Sequence, residues 1–348
     1  MTVAPAPWQA HFLKQARACE ALGSPFTARL LRLLEARMRG GAVASRIAHW
    51  DPDKLGPDAV ALRLAGGLHA LVLARSDRAL AAVYPPRHAG EEALWEAVAP
   101  VLRSQSEHLL HWLDSAPQTN EIRRASALIL AAQLLAEQFP GLPLQLSELG
   151  ASAGLNLQFD RYALEIAGHH YGAEAPVLTL RPEWEGPLPP AGRFTVAEAR
   201  GVDLNPLVPG TPADELRLRS YTWADQEDRL HRLDKALAVA EPRVDAGDAA
   251  AWLEARLARP AEGRVHLVYH TIAWQYFPDT TKASCIAALE GAGLRASPGA
   301  PLARLVMEDD GERPGAGLSL TVWTGGSAAG VTRALGRIDF HGRWIKAA

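Results

Sequence analysis

Cysteine is scarce in this chain. Cys19 and Cys285 are the only two among 348 residues, too few and too far apart for a disulfide scaffold or a cysteine-based zinc cluster. An excess of one charge is also missing. The 36 basic and 39 acidic residues leave a formal net charge of -3, so no overall basic field favours nucleic acid. Short basic pairs such as Arg123-Arg124 read as solvated helix faces. No apolar run reaches membrane length,, and no basic start is followed by the apolar stretch of a signal peptide. Internal repeats are absent, and no spacing assembles a three-residue metal cluster. The expectation is a soluble, cytoplasmic protein without a metal, membrane or nucleic-acid partner, acting on a small molecule.

What is present falls into two rhythms. In residues 8–38, Phe12, Ala16, Cys19, Leu22, Phe26, Leu30 and Leu33 recur at helical spacing, interrupted at Gly23-Ser24-Pro25 and ended by Gly40-Gly41,. Helical patterns follow at 57–75, 91–113 and 121–138, the last with Asn120 as a candidate N-cap,. After Phe139-Pro140-Gly141 the pattern changes. Strand-like runs at 142–146, 194–202, 243–244, 265–270, 302–307 and 318–322 alternate with helical ones at 155–163, 212–239, 248–259 and 281–292. Such alternation predicts an α/β fold, a parallel sheet with helices on both faces, over residues 121–348. A helical N-terminal region, 1–120, precedes it, and 164–192 reads as a turn-rich insertion,.

Four loops of the second half carry the chemistry. Glu148-Leu149-Gly150-Ala151-Ser152-Ala153-Gly154-Leu155-Asn156 follows the first strand. Gly150 permits a tight turn there, and Gly154 permits close approach of the next element, leaving backbone N–H groups toward a crevice. No Lys-Ser or Lys-Thr follows, so a triphosphate-binding P-loop is unsupported,. Asp203, in Gly201-Val202-Asp203-Leu204-Asn205-Pro206, closes the second strand and can accept ribose hydroxyls or cap its own turn,. Asp248 follows the third strand, placed to meet an adenine or to cap the next helix. The strand Val265–His270 delivers Tyr269 and His270 to the sheet edge, where His270 can serve as a general base or hold the strand end,. Trp274 and Tyr276 can wall a pocket or fill the core. The mixed segment Trp223-Ala224-Asp225-Gln226, with Arg229, can serve a substrate or form a salt-bridged helix face,.

Taken as an ordered set, these loops resemble the class I methyltransferases that use S-adenosylmethionine. The resemblance covers residues 121–348 and implies a Rossmann-like sheet. It implies that Glu148, Gly150, Ser152, Gly154 and Asn156 hold the amino-acid end of the cofactor, Asp203 the ribose and Asp248 the adenine, with His270 or Tyr269 assisting proton transfer. Ser152 stands where the family commonly has a glycine. The whole chain also resembles an uncharacterised bacterial family with a methyltransferase-like C-terminal region. Thr119-Asn120-Glu121, the Glu148–Asn156 loop, Trp223–Gln226 with Arg229, and Val268-Tyr269-His270 carry that likeness.

Two other functions compete. Gly150-Ala151-Ser152-Ala153-Gly154 satisfies the Gly-x-Ser-x-Gly pattern of a nucleophile elbow, with Asp248 and His270 following in hydrolase order,. A non-catalytic nucleotide- or partner-binding module is the other.

Overall fold

Gly23 takes φ +85° and Ser24-Pro25 follows, so the first apolar pattern splits into two helices at the expected place. Proline is tolerated at a helix start because its missing N–H would have no intrahelical partner. The structure, a computed structural model, describes residues 5–348; the first four residues of the expected 1–120 region lie outside the described residues. The helices are α1 (Pro7–Ala21), α2 (Pro25–Arg37), α3 (Gly41–Ala48), α4 (Val60–Leu73), α5 (Arg78–Ala81), α6 (Glu91–Ser104), α7 (Ser106–Leu113), α8 (Ala125–Gln138), α9 (Pro212–Tyr221), α10 (Glu227–Leu237), α11 (Ala249–Arg256) and α12 (Asp279–Arg295).

The chain divides into two compact units. One comprises residues up to Thr119 together with Thr211–His231, so the helical unit includes a segment that the sequence pattern assigns to the α/β half. Its core joins Phe12, Leu31, Leu34, Leu64, Leu68, Leu94 and Val98. The expected helix 91–113 breaks at Gln105 (φ -114°, ψ 26°), and the expected helix 212–239 breaks where Thr222 turns extended. Asp225 caps α2 from a distance, accepting from Ser24 Oγ (2.5 Å) and Phe26 N (2.8 Å).

The second unit, Asn120–Gly210 with Arg232–Ala348, is a mixed α/β structure. Its strands are β1 (Leu144–Leu149), β2 (Tyr162–Ile166), β3 (His169–Gly172), β4 (Leu178–Leu180), β5 (Glu183–Glu185), β6 (Val196–Asp203), β7 (Val244–Ala246), β8 (Val265–Thr271), β9 (Leu302–Glu308), β10 (Ala316–Trp323), β11 (Val331–Ile338) and β12 (Trp344–Ala347). Nine of them form one sheet in the order β5-β12-β11-β10-β9-β8-β1-β6-β7. From β9 to β7 every pairing is parallel, and β10, β11 and β12 continue from β9 as an antiparallel meander. Every residue of β8 is buried, as a central parallel strand covered on both faces requires,.

Leu253 and Leu257 from the α11 end pack with Cys285 and Leu289 of α12 against Val268, Leu302 and Trp323. The insertion is more ordered than its turn-rich composition predicts. Strands β2, β3 and β4 make a separate three-stranded sheet, and β5 pairs with β12 at the edge of the large one. Chain order reverses at β1: β6 and β7 lie to one side, β8 and β9 to the other. Open parallel sheets hold ligands outside the carboxyl ends of their strands at such a reversal. No helix among the described residues is long and apolar enough to cross a membrane.

Candidate functional site

The loop after β1 turns through three residues with positive φ: Gly150 (+71°), Ser152 (+54°) and Gly154 (+73°). A Cβ on Gly150 would lie 2.7 Å from Ala273 Cβ, and one on Gly154 would lie 2.8 Å from Val244 Cγ2. Glycine is therefore required at both places by conformation and by packing. The loop leads into a 3-10 segment, Leu155–Arg161, kinked at Gln158, rather than the expected α-helix.

The N–H groups from Gly150 to Leu155 are all used internally. Gly150 and Ala151 donate to Val202 O (2.9 and 3.0 Å), and Ser152 donates to Asp203 Oδ2 (2.9 Å). Gly154 donates to Ala151 O (2.8 Å), while Ala153 and Leu155 donate to Asn120 Oδ1 (2.9 and 3.4 Å). The expectation that this loop offers N–H donors to a ligand is thereby corrected. What it leaves available is different: Ser152 Oγ and Asn156 Oδ1 are buried and have no hydrogen-bond partner among the described residues. A buried polar atom without a partner costs about 1–3 kcal/mol, which sets these two atoms apart from the rest of the loop.

Asn120 is not the N-cap of α8. It braces the loop through both ends of its amide, donating also to Ala151 O (3.2 Å). Arg124 is likewise no solvated face, since its guanidinium donates to Thr271 O (2.9 Å) and Phe340 O (3.1 Å) and ties the end of β8 to the β11–β12 turn.

Glu148 lies buried at the end of β1, where Tyr269 OH donates to its Oε2 (3.3 Å). Burial pushes its carboxyl up to about 8; the Tyr269 hydrogen bond opposes that rise, the nearby Asp203 carboxylate adds to it, and Arg124 moderates it. Burial also holds the Tyr269 phenol well above its ordinary range, and the Glu148 carboxylate adds to the effect. Tyr269 is consequently a fixed donor to Glu148, not an accessible proton carrier.

Asp203 divides its carboxylate between Ser152 N and Asn205 N (2.9 Å each), and its carbonyl accepts from Gly247 N (3.0 Å). The loops after β1, β6 and β7 are thus stitched together at one edge. The neighbouring Leu204 leaves 68% of its surface exposed there, an apolar wall beside a carboxylate. Asp248 is exposed and caps α11, accepting from Ala250 N (2.9 Å) and Ala251 N (3.4 Å), while Thr281 Oγ1 donates to its other oxygen (3.0 Å).

His270 sits in a buried row of polar groups. Arg304 Nη2 donates to its Nε2 (2.9 Å), which fixes the tautomer so that Nδ1–H donates to Glu308 Oε1 (2.7 Å),. Burial lowers its pKa, opposed by the Glu308 hydrogen bond. Its ring stacks on Trp274 at 4.6 Å. With both nitrogens engaged and no exposed surface, His270 has no lone pair to take a substrate proton, and the general-base expectation is corrected to a holding role. The hydrolase arrangement does not assemble either. His270 is bound to Glu308 rather than Asp248, Asp248 is occupied as a cap, and Ser152 Oγ has no base beside it,.

Glu308 is the residue that sequence reasoning missed. Its Oε1 also accepts from Ala273 N (3.0 Å) and Trp274 N (3.1 Å), holding the loop after β8, in which the β-branched Ile272 takes φ +53°,. A signal was present: Glu308 closes β9 just as Glu148 and Asp203 lie at the ends of β1 and β6. The segment Trp223–Arg229 belongs to the helical unit. Gln226 donates to Leu22 O (3.1 Å), and Arg229 lies over Trp223 while donating to Gln226 Oε1.

A family model described as "Uncharacterized protein conserved in bacteria (DUF2332)" matches residues 9–347. No curated protein and no solved structure matches the chain.

Proposed function

The chain belongs to this uncharacterised bacterial family, and on that premise we propose that it is an S-adenosylmethionine-dependent methyltransferase acting on a small molecule, with a Rossmann-like methyltransferase sheet in its second unit. One observation carries the proposal. At the carboxyl edge, where the strand order reverses, a glycine loop with two unpartnered buried oxygens lies against a carboxylate at the end of the adjacent strand.

The residues present fit that cofactor better than a phosphate-bearing one. Ser152 Oγ and Asn156 Oδ1 can accept from an ammonium group, and Asp203 retains lone pairs for hydroxyls,. The loop's N–H groups, which a phosphate would need, are already used,. Leu204 supplies an apolar surface for a purine ring. The Asp203 carboxylate favours a cation, as Glu148 does once ionised, and adenosylmethionine, when bound, supplies a methyl group on a positively charged sulfur. The chain's own part is to orient and desolvate, because neither His270 nor Tyr269 is free to move a proton,.

Isothermal calorimetry with adenosylmethionine tests the proposal directly. Saturable binding that weakens in Asn156→Ala supports it, and no binding by the folded protein overturns it. The engagement of His270 and Tyr269 also favours a second reading, a module that binds the cofactor or a related nucleoside without turnover. Transfer of a labelled methyl group to any acceptor separates the two.

A further inference from the structure

Only half of the Glu308 carboxylate is in use. Oε1 receives His270 Nδ1 (2.7 Å), Ala273 N (3.0 Å) and Trp274 N (3.1 Å). Oε2 is buried and has no hydrogen-bond partner among the described residues. The Arg304 charge acts on it only from the far side of the His270 ring. His270 is neutral, since its other nitrogen accepts from Arg304, and the imidazole stands between the Arg304 and Glu308 side chains. The Arg304 guanidinium is directed to that nitrogen and to the Trp274 ring, 4.7 Å from its centroid.

Because Oε1 bonds two consecutive N–H groups, the carboxylate lies against Ala273 and Trp274, at the start of the loop Ala273–Phe277. That loop carries three aromatic residues, Trp274 and Phe277 half-buried and Tyr276 exposed over 70% of its surface. A carboxylate oxygen lacking a donor, at the base of an aromatic loop on the carboxyl edge of the sheet, matches the chemistry of a cationic nitrogen,. An anion would be repelled by Glu308. A neutral hydroxyl would satisfy the hydrogen bond without the charge assistance that an ammonium brings.

We propose that Glu308 Oε2 and the Trp274–Phe277 loop form a subsite for the ammonium group of a cationic amine. Its role as the methyl-acceptor subsite rests on the function proposed above; its binding chemistry does not.

The test uses the full chain without cofactor. Butylamine and 2-phenylethylamine are titrated against the matched alcohols and against phenylacetate, followed by tryptophan fluorescence and saturation-transfer NMR. The amines bind and the alcohols and phenylacetate do not. Glu308→Gln can keep a carbonyl oxygen on the three N–H donors while presenting an NH2 group in place of Oε2, and it weakens the amines by about tenfold or more. If that variant fails to fold, Tyr276→Ala, at an exposed position, replaces it and weakens the amines several-fold. Equal binding of the alcohols, amine affinity unchanged in the variant that folds, or no amine binding overturns the subsite. Calorimetry with adenosylmethionine on the same preparation keeps the two proposals apart: amine binding without cofactor binding ends the methyltransferase and leaves the subsite, and the converse ends the subsite alone.

Discussion

Asp203 accepts the backbone N–H of Ser152 across 2.9 Å, so the carboxylate that closes β6 fixes a strained residue in the loop after β1. Glu308 does the same from β9 for the loop after β8, where Ile272 is the strained residue and Ala273 N the donor at 3.0 Å. On each side of the chain-order reversal, a carboxylate from the next strand out sets the loop that would face a ligand.

The first prediction follows from that arrangement. Asp203→Ala removes the acceptor of Ser152 N and Asn205 N together, so it destabilises by about 1–3 kcal/mol,. Asp203→Asn keeps one carbonyl oxygen and recovers about half of the loss. Urea unfolding of the two variants checks this, and equal loss in both would show that the pairing is not what holds the loop.

Gly150→Ala and Gly210→Ala make a controlled pair. Both glycines have positive φ, +71° and +87°, but a Cβ on Gly150 meets Ala273 at 2.7 Å while one on Gly210 meets nothing within 4 Å. The Gly210 variant loses about 1 kcal/mol from backbone strain alone. The Gly150 variant loses that and about 1–3 kcal/mol more from overpacking. Thermal unfolding under identical conditions ranks them, and a reversed order would remove the case for close packing at the turn.

The sheet was legible because its strands announce themselves twice, as apolar runs and as runs that end in polar or glycine-rich turns. The apolar run Leu302–Met307 stops one residue short of the end of β9, and the residue beyond it is Glu308. Periodicity cannot say what an acidic residue at a strand end does, since a ligand contact, a cap and a loop clamp look alike in sequence. Asp248 and His270 show the same limit. Asp248 bonds the N–H groups beginning its own helix, a local matter, whereas the partners of His270 are 34 and 38 residues away on β9. The strands β2 to β4 were obscured by the glycines and prolines between them. The membership of Thr211–His231 in the helical unit depends on long-range contacts such as Asp225 with Ser24, which no local pattern reports.

Acid sensitivity is expected from two buried histidines. Burial pushes His69 down to about 4, against its hydrogen bonds to the backbone of Ser220 and Thr222. Burial and the Arg256 charge push His266 down to about 3, opposed by Glu198. Both folded values lie below the ordinary 6.5, so the unfolded chain takes up the protons first,. Their contribution to stability is complete above about 6.5 and is lost as pH falls toward 4 and 3. Equilibrium unfolding between pH 4 and 7 should show midpoints rising with pH, and His69→Gln and His266→Gln should each flatten the slope. An unchanged slope in both variants would assign the acid limb to other groups.

Glu148 bends the profile the opposite way. Its folded value of about 8 lies above the ordinary 4.5, chiefly through burial, so the folded chain keeps a proton that the unfolded chain gives up. The stability from this neutral carboxyl is whole below about 4.5 and disappears as pH rises through about 8,. In Glu148→Gln the group can no longer ionise, and the decline across that interval should shrink. A cation brought to the same edge would favour the ionised form, so adenosylmethionine should bind more tightly at pH 8.5 than at 6.5 and release up to one proton on binding near neutrality. Calorimetry in two buffers of different ionisation enthalpy measures that proton. Release that persists undiminished in Glu148→Gln would place it on another group and leave the acid at the end of β1 without a part in binding.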